Sequence, residues 1–197
     1  MSRPDLILAS GSAARISMLK KAGYDFETCP ADIDENAMRE NFKGDSPQDI
    51  ALKLAQEKAL HISAQKENAL VIGSDQICAL EKQIFSKAKD EQEAFEKIKG
   101  LQGQTHALHS AAALYKEGQE IWSVCDTVFL TMKKLEDDQI KNYLNQAGDA
   151  PTACAGAYAI EEIGARLFDK IEGDYFTVLG LPLLPLIAAL EQEGFTL

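Results

Sequence analysis

The chain has 197 residues, 46% of them hydrophobic, with 20 Lys plus Arg against 31 Asp plus Glu and a net charge of −11. So acidic a surface repels nucleic acid and anionic membrane, which excludes both as general partners. An acidic protein that takes up a phosphate-rich ligand must gather its few cations in one place or recruit a divalent metal.

Leu6, Ile7, Leu8 and Ala9 read as a short buried strand, ended by Ser10-Gly11-Ser12 and followed by a helical run over residues 13–22. A strand, a small polar turn and a helix start bring free backbone N–H groups and the positive end of a helix dipole to one point. That point suits a phosphate. Ser10 and Ser12 have hydroxyls to donate to it, and Arg15 adds charge from the first turn. The same pattern also fits an ordinary serine-capped turn. Residues 25–29 read as a strand, 30–35 as an acidic loop with Asp32, Asp34 and Glu35, and 36–45 as a polar, irregular stretch. Ser46-Pro47 then opens a helix, with serine as cap and proline in the first position. Ile50, Leu54, Ala55, Ala59 and Ile62 give it one apolar face.

Residues 69–72 form a buried strand that continues through Gly73-Ser74-Asp75-Gln76 into Ile77-Cys78, and residues 83–85 pair back as a hairpin. An amphipathic helix spans 90–101, capped by Asp90 and stopped by Gly103. Two long strand-like runs, 105–115 and 122–131, are joined by Lys116-Glu117-Gly118-Gln119, which is turn chemistry. A helix over 136–146, a glycine-containing stretch over 150–181 with a strand at 166–171, and a helix over 182–193 complete the chain. Helices alternating with strands around one antiparallel hairpin predict an α/β fold with a mixed sheet. One domain over residues 1–197 is expected, without repeats. The opening residues 1–5 carry no secretory signature, and no run reaches the roughly 20 apolar residues of a membrane span, so a soluble cytoplasmic protein is expected.

Asp75 stands in the middle of an apolar strand run, where a charge is costly unless it is paired or bound to a metal. Asp34 and Glu35 matter to chemistry only if they approach it. Lys58 on a helix and Lys87 directly after the hairpin are candidates for phosphate contacts, although a lone helical lysine is ordinarily a surface residue. Hard oxygen donors with a few lysines are what a magnesium–triphosphate site needs. The cysteines, Cys29, Cys78, Cys125 and Cys154, are too scattered for a zinc site and read as free thiols. His106 and His109, three apart on a strand, point to opposite faces and share no metal.

In this order, LILASGSAAR at 6–15, DIDE at 32–35, LAQEKA at 54–59, GSDQIC at 73–78, Lys87, CAGAY at 154–158 and IEGDYFTVLGLPL at 171–183 resemble the Maf family of nucleoside triphosphate pyrophosphatases. The resemblance implies an elongated mixed β-sheet with flanking helices, forming two lobes around a central cleft as in ITPase-like proteins. It implies cleavage of a nucleoside triphosphate between the α- and β-phosphates with a divalent cation, magnesium or manganese. By matching position, Asp75 is the general base and Glu35 holds the metal with it or orients the water. Lys58 and Lys87 contact phosphates, and Ser10, Ser12 and Arg15 form the phosphate loop. Gln76, Cys154-Ala155-Gly156 and Glu161 resemble the branch that acts on 7-methyl-GTP; the alternatives are a pyrophosphatase of the dTTP and UTP type and, given Ala13-Ala14 and the lost arginine, a nucleotide-binding regulator of cell division with little turnover. Glu161 accepts from the guanine ring N–H and exocyclic amine, a two-point match. The chain departs from the pattern at Ala13-Ala14, where the family commonly has proline and an arginine or bulky residue. Ala14 offers a base nothing to stack on, and Ile16 leaves Arg15 as the one arginine of the loop. A homodimer is compatible with the resemblance, though no residue pattern specifies it.

Overall fold

The computed structural model describes residues 4–197; the first three residues of the polar opening segment lie outside the described residues. Seven strands form one mixed sheet: β1 (Asp5–Leu8), β2 (Glu27–Thr28), β3 (Ala69–Leu80), β4 (Gln83–Phe85), β5 (Thr105–Lys116), β6 (Gln119–Met132) and β7 (Phe168–Glu172). The spatial order is β2-β1-β3-β5-β6-β7, with β4 pairing on β3. β1 runs parallel to β2 and β3, and all other pairs are antiparallel. The mixed α/β sheet expected from the alternation of elements is therefore present.

The pairing of β3 leaves a gap. β1 accompanies it only as far as Leu8 opposite Ile72, and β4 joins only from Phe85 opposite Cys78. Between them, residues 73–77 have a strand neighbour on the β5 side alone. Asp75 is at the centre of this gap. One end is bounded by the Ser10-Gly11-Ser12 turn after β1, where Ala9 N–H reaches Ile72 O at 2.8 Å. At the other end, β4 stops at Phe85 opposite Cys78, and Ser86 and Lys87 follow it directly in the chain.

Side chains alternate across β3 and β5. The odd-numbered face, with Val71, Ile77, Ala79, Ala111 and Ala113, is covered by α3 (Pro47–Ser63) through Ile50, Ala51, Leu54, Ala55 and Ala59. The even-numbered face carries two separate groups. Leu70, Ile72, Ala112 and Leu114 pack with α1 (Ala13–Lys21) and the last helix, Leu183–Gln192. Cys78, Leu108, Val128 and Leu130 pack beneath α4 (Glu91–Leu101) and α5 (Asp137–Leu144). Polar Ser74, Gln76 and Ser110 lie between the two groups, with Gln76 directly opposite Ser110.

Several boundaries differ from the sequence expectation. Residues 36–45 are not irregular throughout, because α2 (Glu35–Asn41) occupies most of the stretch. Asp34 caps it, accepting from the N–H groups of Asn36 and Ala37 at 3.1 and 3.0 Å, and Met38 and Phe42, four apart, turn inward against the α3 side. The strand expected at 25–29 contracts to β2, and β7 starts after a 3₁₀ segment, Ile163–Leu167. Two short helices, α6 (Ala150–Ala153) and α7 (Tyr175–Val178), interrupt the glycine-containing stretch; α8 is the closing helix, Leu183–Gln192. Among the described residues, no helix is long and apolar enough to cross a membrane.

Candidate active site

Gly73 sets the site's geometry. A Cβ at this position would meet Ala55 O at 2.0 Å and Ala59 Cβ at 2.7 Å, so only glycine lets α3 lie this close to β3. The close approach brings Lys58, one turn beyond Ala55, over Asp75. Both are buried, at 8% and 4% exposure, so each charge needs the other. Lys58 Nζ donates to Asp75 Oδ1 at 2.7 Å and also lies 2.7 Å from Glu35 Oε1. One ammonium thus clamps two carboxylates from separate elements, a mid-strand residue and the first residue of α2. Burial pushes Glu35 upward, but Lys58 foremost, then Arg39 and Arg15, outweigh it and hold the carboxyl below the ordinary carboxylate value. The remaining oxygen of Asp75, Oδ2, is buried and has no hydrogen-bond partner.

The serine turn forms as the sequence implies. Ser12 caps α1 by accepting from Arg15 N–H at 3.5 Å. Ser10 Oγ accepts from Ser12 N–H at 3.3 Å and from Arg15 Nη1 at 3.2 Å, which leaves its own O–H to donate elsewhere. Arg15 is buried, at 9% exposure. It donates through Nε to Gly180 O at 2.8 Å and through Nη1 to Ser74 O at 2.9 Å, tying the open edge of β3 to the turn before α8. Burial lowers its pKa, opposed by the nearby charges of Asp75 and Glu35. Ala14, beside it on α1, is half-buried and carries no polar group.

Gln76 is held from below by the fold. Its amide nitrogen donates to Ser110 Oγ at 2.9 Å, Thr177 O at 3.1 Å and Val178 O at 3.0 Å. Two hydrogens already serve three acceptors, so only Oε1 remains for a ligand. The reason is α7, whose last carbonyls, of Thr177 and Val178, descend on the polar step of the even face. Thr177 is fixed there by Asp126 Oδ2 and by its cap Asp174.

Lys87 and Glu161 are both exposed, and neither forms a hydrogen bond or ion pair among the described residues. They share one neighbourhood: burial pushes the Cys154 thiol upward, Glu161 adds to the rise, and Lys87 opposes it. The structure therefore assembles Asp75, Glu35, Lys58, Arg15 and Ser10 into one contiguous group, with Ser12 at its edge. Lys87, Cys154 and Glu161 form a second group on the β4 flank of the gap. Arg39 had not been singled out; it donates to Glu35 Oε2 at 3.4 Å from one turn along α2. Its signal was the spacing of four from Glu35 behind an aspartate cap.

Among the described residues, no three His, Cys, Asp or Glu side chains converge to hold a metal by themselves. The donors nonetheless fit a hard cation. Asp75 presents a buried, unpartnered carboxylate oxygen and Glu35 lies across the same ammonium. Magnesium is commonly held by one or two carboxylates, with phosphate oxygens and water completing the shell.

A mixed-sheet α/β protein with a lysine-clamped carboxylate pair at a sheet gap, next to a serine turn at a helix start, has the makings of a polyphosphate-anion site. The chain belongs to the Maf family: residues 5–193 match the family described as Maf-like protein. It is 43% identical over 189 residues to a nucleoside triphosphate pyrophosphatase of Nitrobacter hamburgensis, covering 96% of this chain and 94% of that protein. It is 44% identical over 191 residues to a 7-methyl-GTP pyrophosphatase of Mesorhizobium japonicum, covering 96% of each. It is 42% identical over 190 residues to a protein of the same name from Brucella abortus, covering 95% and 96%.

Proposed function

We propose that this chain hydrolyses nucleoside triphosphates to the monophosphate and pyrophosphate. The observation that carries the reading is the division of labour within Asp75. Lys58 occupies Oδ1, while Oδ2 faces no hydrogen-bond partner and is free to take a proton. In this reading, Asp75 Oδ2 accepts a proton from a water in line with the α-phosphorus. The water oxygen bonds to that phosphorus, the bridging oxygen to the β-phosphate departs with its electron pair, and pyrophosphate is released. Ser10 O–H and the helix start at Ser12 receive phosphate oxygens, and Lys58 and Lys87 offset their charge. Glu35 would hold magnesium or manganese, with phosphate oxygens and water completing its shell, which would supply further neutralisation of the triphosphate when bound.

The finer reading is 7-methyl-GTP as the preferred substrate. It is supported by the names of the Mesorhizobium and Brucella relatives and by Glu161. Methylation at N7 leaves a guanine ring positively charged, which an exposed carboxylate favours over an uncharged base. Gln76 then acts by holding α7 in place, with Oε1 as its one remaining contact.

The test is pyrophosphate release with magnesium from 7-methyl-GTP, GTP, dTTP and UTP, comparing wild type with Asp75→Asn. The substitution is expected to lower the rate by about 10² or more on every substrate, the usual contribution of a general base. A loss below about tenfold removes Asp75 from that role. A preference for dTTP or UTP over 7-methyl-GTP removes the base assignment and leaves the reaction intact.

A further inference from the structure

Ala157 holds a backbone conformation that alanine seldom adopts. Its φ is 62°, in the left-handed region, and the residue is fully buried. Such strain persists only where the surroundings over-determine it. Here three contacts do so. Ala157 N–H closes a turn onto Cys154 O at 3.0 Å. Tyr143, from the last turn of α5, donates its hydroxyl to Ala157 O at 3.1 Å. Tyr158, the next residue, has its own hydroxyl 2.6 Å from His106 Nε2 on β5, and its ring meets Phe168 edge-on at 4.7 Å between centroids. The Tyr158 ring also folds back over Gly156, where a Cβ would collide with it. Both tyrosines and His106 are buried. Burial foremost raises the Tyr143 pKa, with Cys154 and Glu162 adding to the rise; Tyr158 is raised by burial, then by Cys78 and Cys154. The two hydroxyls thus lie beneath residues 154–162, beside Cys78, which is two residues beyond Gln76 on the same face of β3.

We propose that Tyr143 is a positioning residue for base selection. With the His106–Tyr158 pair, it locks the left-handed turn at Ala157 and so fixes where residues 154–161 meet the base, without touching the nucleotide itself. The proposal rests on the reading that this segment, through Glu161, faces the base. Ala157 stands between Cys154 and Glu161, so a change in its φ swings one relative to the other. Without the Tyr143 hydroxyl, the buried Ala157 carbonyl loses this donor and the turn loses one of its restraints. Relaxation of Ala157 to a negative φ then redirects the chain toward Glu161. A two-point contact to a base depends on placement within about 1 Å, so it suffers first. Lys58, Asp75 and Glu35 are held together by α3, β3 and α2 instead, so the groups proposed for the chemistry stay in place.

The experiment measures kcat and KM for pyrophosphate release from 7-methyl-GTP, GTP and dTTP, and calorimetric binding of the three corresponding monophosphates. The variants are Tyr143→Phe, Tyr158→Phe and Glu161→Gln. The monophosphates read base selection without turnover, so the outcome does not depend on Asp75. Tyr143→Phe keeps the ring and removes only the hydroxyl. It is expected to narrow the discrimination between the best and the worst base about fivefold, through KM, with kcat on the best substrate changed less than about threefold. Tyr158→Phe is expected to act in the same direction. Adding Ala157→Gly to Tyr143→Phe recovers most of the lost discrimination, because glycine takes a positive φ without strain. A loss of folded protein alone would lower activity on all bases alike. Discrimination within about twofold of wild type in both tyrosine variants overturns the proposal. So does an equal loss on all three bases, a glycine that recovers nothing, or a wild type that treats the three bases alike. If Glu161→Gln alters discrimination and the tyrosine variants do not, the reading of Glu161 stands and the role of Tyr143 falls. The reverse result keeps Tyr143 and removes Glu161, leaving base contact to another residue of 154–161.

Discussion

A buried aspartate in the middle of a strand is tolerated here because one lysine answers it at 2.7 Å. That pairing depends on a residue without a side chain. An alanine at Gly73 would press its Cβ onto the Ala55 carbonyl, and neither backbone gives way easily. Gly73→Ala is therefore expected to destabilise the protein by about 2–3 kcal/mol in urea unfolding, at the upper end of overpacking. It should also lower pyrophosphate release, since α3 must move and take Lys58 with it. Wild-type stability in this variant would show that α3 does not pack on β3 as described. At this scale Asp75 was legible, because a charge inside an apolar run demands an explanation. The commitment of Gln76 was not, because its acceptors, Ser110, Thr177 and Val178, are 34 to 102 residues distant.

α2 illustrates why one element escaped a sequence reading. Its seven residues, ENAMREN, bury no side chain fully and have no long apolar stripe, so composition alone reads as loop. Isolated helices this short are unstable in water. This one persists through the Asp34 cap, the inward Met38 and Phe42, and the tie from Glu35 to Lys58. Removing the cap with Asp34→Ala is expected to cost about 1 kcal/mol. Hydrogen exchange should show faster amide exchange confined to residues 36–42, together with lower pyrophosphate release because Glu35 rides on the same turn. Protection unchanged across that segment would dismiss the cap as its anchor. α3, in contrast, announced itself through Ser46-Pro47 and a sustained apolar face, and it forms as expected.

Across the whole molecule, long strands join two apolar groups on one face, and the distal group contains a buried base. His106, 1% exposed, has Nε2 2.6 Å from Tyr158 Oη, and burial pulls its pKa down to about 4. A histidine in an unfolded chain titrates near 6.5, so the unfolded state binds this proton first as pH falls. The stability that neutral His106 contributes is complete above about pH 6.5 and is lost as pH falls toward about 4, amounting to about 3 kcal/mol. Denaturant unfolding at about pH 7 and pH 4 should show wild type losing more stability than His106→Gln by about that amount. Parallel losses in the two proteins would mean that His106 is not held neutral.

The amino-acid sequence by itself determined the order and kind of the long elements, because apolar periodicity and cap residues act over a few neighbours. It also contained the charged candidates, Asp75, Glu35, Lys58 and Arg15, and the two serine hydroxyls beside them. Only the tertiary structure decided which of these meet. The gap between β1 and β4, the passage of α3 over Gly73, and the arrival of α7 on Gln76 are contacts between segments far apart in the chain. Burial then decided the roles, enclosing Arg15 and pairing Lys58 while leaving Lys87 and Lys82 at the surface, because the free energy of a charge depends on the dielectric and partners that folding gives it.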